Sequence, residues 1–105
     1  MKQITVRDKD NNPYTLTFTA ETVKALEAKG FVLDKMLEMP MTMIPLLFEG
    51  AFLAKEADKV TSEKALEIYT SQKNKEALLA KLIELYNEVL SAIIDEGNSE
   101  WECNF

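Results

Sequence analysis

A chain of 105 residues with a formal net charge of −6 is a poor partner for nucleic acid, whose phosphates are met by clustered Lys and Arg, and is repelled by an anionic membrane surface. Its 47% hydrophobic and 29% charged content suits one ordinary globular domain and argues against wholesale disorder. The sequence has no histidine, which removes the commonest general base and metal ligand, and its one cysteine, Cys103, has no partner for an internal disulfide.

In chain order, QITVR alternates Ile4 and Val6 with polar neighbours, and YTLTFT sets Tyr14, Leu16 and Phe18 against Thr15, Thr17 and Thr19. That period of two predicts two half-buried strands. DKDNNP between them holds residues that close turns through side-chain-to-backbone hydrogen bonds and a preset φ, so an antiparallel hairpin is expected. Thr19 then offers its hydroxyl to a helix start, Glu21 complements the positive end of the dipole, and AETVKALEAK continues the helix. Gly30 is expected in the left-handed conformation just past its end, with Phe31 packing back on Leu26 in a Schellman motif.

The short amphipathic turn VLDKMLE leads to Pro40, after which Thr42 is expected to cap a helix running to about residue 57, with Pro45 in its first turn. The segment MPMTMIPLLFEGAFLA at residues 39–54 has Glu49 as its only charge. A membrane span needs roughly 20 apolar residues, so this shorter stretch, broken by Pro45, reads as a helix for the core or for a partner. Val60 and Thr61 mark the next start, with Leu66, Ile68 and Tyr69 as a modest apolar face. Asn74 can cap the last helix, about residues 75–95, whose Leu79, Ile83, Tyr86, Leu90 and Ile93 form one stripe and Leu78, Leu82, Leu85 and Val89 a second. Two stripes require two neighbours, either within the domain or with one in another chain. The expected fold class is α+β: an N-terminal antiparallel β-hairpin packed on a mainly α-helical body of about four helices, one domain over residues 1–97 with a C-terminal tail at 98–105.

Chemistry is sparse. Gly30, Gly50 and Gly97 are too far apart for a phosphate-cradling loop, and Cys103 has no sequence sign of an activating base. Asp8, Asp10 and Asn12 mimic half of a calcium loop, but Pro13 and Thr19 stand where its glycine and bidentate glutamate belong, which favours a plain turn. The expectation is no catalytic residue, no cofactor and no metal. Met36, Met39, Met41 and Met43 form a methionine-rich neck, either flexible core filler or an adaptable binding surface. Trp101 and Phe105 make an apolar pair on the tail, which can fray or dock. The first residues, MKQITVRDKD, lack the apolar run of a secretory signal, so a reducing cytosol is the expected setting.

The order of segments resembles a known family. A threonine-rich strand running into FTAETVKALEAKGF, a Pro-bounded PLLFEGAFLAKEADKVTSEKALEI and the long LLAKLIELYNEVLSAI helix with a Gly-Asn-x-x-Trp tail are similar to the tail assembly chaperones of tailed bacteriophages and related small prophage proteins. The likeness covers nearly the whole chain and rests on segment pattern and wording. It implies a non-enzymatic protein of the bacterial host cytoplasm that binds the helical tape measure protein, keeps it soluble, assists recruitment of tail tube protein and self-associates as a homo-oligomer. Many such chaperones are also made in a longer, frameshifted form. The rival function is a virion structural protein, such as a head-tail connector or tail completion component, with a small regulatory adaptor as a third. Under the chaperone reading, the candidate partner contacts are Met43, Leu47, Phe48, Phe52, Leu82, Tyr86 and Val89, joined by Trp101 on the tail. Apart from Trp101 these are also the residues expected in the core, so the choice for each is core or interface.

Overall fold

The computed structural model describes residues 3–52, 60–94, 97 and 99–104. It is α+β, an antiparallel two-stranded hairpin followed by four α-helices. Strands β1 (Ile4–Arg7) and β2 (Pro13–Leu16) pair with Ile4 opposite Leu16 and Val6 opposite Tyr14, which gathers all four apolar side chains on one face. The turn is built on Asp8. Its Oδ1 accepts the backbone N–H groups of Asp10 and Asn12, both at 2.9 Å, and its Oδ2 accepts the Asn12 side-chain amide at 3.2 Å. Asn11 takes the left-handed conformation (φ 66°) that asparagine tolerates. The Asn12 backbone N–H does most to hold the Asp8 carboxyl below its ordinary pKa, against the opposing effect of burial. Strand β2 stops three residues short of the expected Thr19. Its last pair is Leu16 with Ile4, and the Thr17 N–H turns instead to the Ala51 carbonyl at 3.5 Å.

Helix α1 (Ala20–Ala28) opens on the predicted cap. The Thr19 hydroxyl accepts from Thr22 N–H at 3.2 Å, and the Thr22 hydroxyl accepts from Thr19 N–H at 2.8 Å, a reciprocal pair. Its end also follows the sequence reading. Gly30 lies at φ +92°, its N–H reaches Glu27 O, and Phe31 N–H reaches Leu26 O, both at 3.0 Å, with Phe31 and Leu26 both buried.

A 3₁₀ turn (Leu33–Lys35) leads to α2 (Pro40–Phe52). This helix starts three residues before the expected Thr42 cap would allow. Pro40 occupies its first position, where a missing N–H costs nothing, and the Met39 carbonyl accepts from Met43 N–H at 2.9 Å. Pro45 therefore lies inside the helix rather than in its first turn, and the Met41 carbonyl has no backbone donor four residues on. The expected continuation to residue 57 lies outside the described residues.

Helix α2 is the centre of the core. Leu47, Phe48, Ala51 and Phe52 are at most 1% exposed, and the Phe48 ring meets Phe52 and Tyr69 edge-on at 4.9 and 5.1 Å. Gly50 lets α1 come close: a Cβ there would stand 2.6 Å from Leu26 Cδ2. Helix α3 (Ser62–Ser71), capped by the Thr61 hydroxyl, buries Ala65 and Ile68. Leu66, expected on its apolar face, is 49% exposed, because it sits about 100° around the helix from Ala65. Gln72 at its end donates to the Arg7 carbonyl at 2.6 Å, and Lys64 stands 3.6 Å from Asp8 Oδ2, so α3 is tied to the hairpin. Helix α4 (Lys75–Ile94) buries Leu82, Leu85 and Tyr86, and half-buries Leu78, Leu79, Ile83, Val89 and Leu90. Asn74, in the left-handed conformation at φ 53°, opens α4 through its backbone carbonyl, which accepts from Leu78 N–H at 3.2 Å. Among the described residues no helix is long and apolar enough to cross a membrane.

Candidate functional site

Helix α1 has nine residues and α4 has twenty, about 13 and 30 Å of helix. The shorter element cannot cover the longer one. Tyr86 marks where the cover is tightest: its ring meets Phe18, just before α1, edge-on at 5.6 Å, and Phe31, just after α1, at 5.2 Å. Burial pushes the Tyr86 phenol above its ordinary pKa, and the Glu27 carboxylate adds to the effect. Beyond Tyr86 the apolar pattern of α4 runs through Val89 and Leu90, half-buried against the edge of the core, and then leaves it. Ile93 and Ile94 are 85% and 74% exposed.

The result is an open groove of about 730 Å³ between the two helices. One wall is Ala20, Val23, Lys24 and Glu27 of α1, residues spaced by three and four and so on one helix face; the other is Val89, Leu90 and Ala92–Ile94 of α4. Such a surface suits non-covalent binding of an apolar segment. A second exposed apolar group lies on the neck, where Leu37 and Met41 are 97% and 89% exposed and Met39 is half so. Met36 and Met43 from the same neck are core residues, whereas Met39 and Met41 lie at the surface.

The sequence over residues 1–105 matches a family described as a domain of unknown function, DUF5055. The chain belongs to the DUF5055 family. No curated protein and no solved structure matches it.

In this DUF5055 chain the eight candidate contacts are spread over three environments. Met43, Leu47, Phe48, Phe52, Leu82 and Tyr86 are buried within the domain. Val89 is half-buried and lines the groove, and Trp101 is 85% exposed on the tail. Phe105 lies outside the described residues. Sequence reasoning missed the whole α1 wall, since Lys24 and Glu27 look like ordinary solvated positions. It did place Leu90 and Ile93 on a stripe, and the signal available was that the pair Ile93–Ile94 prolongs the apolar pattern of a helix already longer than its neighbours. Among the described residues no group of three or more His, Cys, Asp or Glu side chains is placed to hold a metal ion. Cys103 is exposed.

Proposed function

We propose that this DUF5055 protein is a non-catalytic binding protein that covers an apolar helical segment of a partner, acting as a phage tail assembly chaperone. On this reading it holds the tape measure protein in soluble form in the bacterial host cytoplasm until tail tube protein encloses it. The observation that carries the reading is the α1/α4 groove with Ile93 and Ile94 exposed at its edge. A tape measure helix exposes apolar stripes before the tube forms, and a groove walled by two helix faces on a charged carrier is a fitting cover. The segment resemblance supplies the phage context. The exposed neck at Leu37, Met39 and Met41 is the surface left for self-association into a homo-oligomer. No cofactor, nucleic acid or membrane enters the mechanism.

Co-expression with a tape measure protein tests the reading. The partner's soluble fraction should rise and the two proteins should purify together, and Ile93→Asp should reverse both effects. A partner that stays insoluble and unbound refutes it. Recovery of this chain in stoichiometric amount from purified virions would favour the virion structural or head-tail connector role.

A further inference from the structure

We infer that the α1/α4 groove takes one amphipathic helix whose apolar stripe is flanked by lysine or arginine, in preference to a second copy of this chain or to its own tail. The inference deepens the binding reading above and rests on it, but does not need the partner to be a tape measure protein.

The shape of the groove sets the occupant's form. From Ala20 to Glu27 the α1 wall rises about 10 Å, two helical turns, and both walls present helix faces. A third helix fits that slot by seating side chains at i, i+3 or i+4, and i+7. Charge sets its chemistry. Lys24 and Glu27 stand at the mouth, and exposed Glu21 lies one turn before Lys24. Among the described residues two carboxylates thus flank the α1 wall against one ammonium, in a chain of net charge −6. A second copy would bring the same carboxylates to the contact. The tail would bring Trp101 between Glu100 and Glu102, again acid against acid. A helix with basic flanks meets opposite charge at Glu21 and Glu27 and in the net charge of the chain while its apolar stripe covers Ile93.

Two synthetic peptides of about 15 residues, long enough to form an amphipathic helix, test this. They share one leucine stripe and differ in carrying lysine or glutamate on the flanks. The lysine peptide should bind the full chain about tenfold more tightly than the glutamate peptide. That preference should collapse between about 0.01 and 1 M salt, where the screening length falls from about 30 to about 3 Å. Ile93→Asp separates groove binding from general attraction of a cation to an acidic protein. It adds a negative charge, so a merely electrostatic contact would tighten, whereas seating in the groove should weaken about tenfold or more. Ile93→Ser should weaken it without the added charge, and circular dichroism should show both variants folded.

Equal affinity for both peptides, lost in Ile93→Asp, would overturn the charge inference and leave the binding reading standing. Binding unchanged or tightened in Ile93→Asp would overturn both. A dimer by light scattering that Ile93→Asp splits would give the groove to a second copy. Tighter peptide binding in Trp101→Ala would give it to the tail.

Discussion

Replacing Gly50 by alanine tests how closely α1 and α2 are packed. An alanine Cβ at this position would lie 2.6, 2.7 and 2.8 Å from Leu26 Cδ2, Cδ1 and Cγ. Favourable carbon contacts begin near about 3.5 Å, so the overlap approaches 1 Å. Leu26 is 1% exposed and its branch point is among the atoms struck, so turning the side chain aside does not relieve the clash. Overpacking of this kind costs about 1–3 kcal/mol. Alanine's better helix propensity returns about 0.8–1.0 kcal/mol. Gly50→Ala should therefore be destabilised by up to about 2 kcal/mol, with Tm falling about 4–8 °C for each kcal/mol. Leu26→Ala should cost about 2–5 kcal/mol through the cavity it leaves. In that background a methyl at position 50 has room, and Gly50→Ala should become stabilising by about 1 kcal/mol. Urea unfolding of the four proteins, followed by circular dichroism with the slope checked for constancy, gives the coupling energy, expected at about 1–3 kcal/mol. If Gly50→Ala stabilises equally in both backgrounds, Leu26 does not limit that position and the packing account fails.

Three further substitutions probe the core, the helix interior and the turn. Phe48→Asp buries a carboxylate in a site 1% exposed among aromatic rings, so folding should be lost, and a folded but dissociated variant by circular dichroism and size-exclusion chromatography would instead place Phe48 on an interface. Pro45→Ala supplies the N–H that the Met41 carbonyl lacks, and should raise stability by about 1–2 kcal/mol after allowing for the freer unfolded chain; an unmoved urea midpoint would refute it. Asp8 has a lowered pKa in the folded chain, so the unfolded chain binds more protons as the medium is acidified, and stability present at neutral pH is lost as pH falls from about 5 through the folded pKa. Asp8→Asn should be weaker at pH 7 and flatter across that acid window, and an unchanged slope in a pH series of melts would count against the turn as a source of acid sensitivity.

What the sequence made legible was local. The Thr19 cap, the helix start at Thr61, the Asp8 turn and the Gly30–Phe31 helix end each depend on residues within five positions of one another, and each formed as read. The start of α2 was misread because two local rules competed: the Thr42 hydroxyl resembled a cap, whereas Pro40 fits the first helical position and Met39 supplies the opening carbonyl. The candidate site depended on a different kind of fact. Periodicity marks which side chains avoid water, but core and interface leave the same pattern, so Phe48 and Ile93 look alike in sequence while one is 1% and the other 85% exposed. The difference comes from how far α1 reaches along α4.

That reach is fixed from inside the domain. Helix α1 is held by Leu26 against Gly50 of α2 and by Phe18 and Phe31 on two edges of Tyr86 of α4. All of these side chains are at most 5% exposed. The groove wall formed by Ala20, Val23 and Glu27 is therefore the flank of a helix whose inner face is fully engaged, with Val23 itself in the core at 4% exposure. Well-packed interiors transmit displacement rather than absorb it, so the width of the groove is set by the packing beneath it. Several residues first weighed as partner contacts thus serve the binding reading indirectly: Tyr86 touches no partner in this arrangement, yet it anchors the wall against which one would rest.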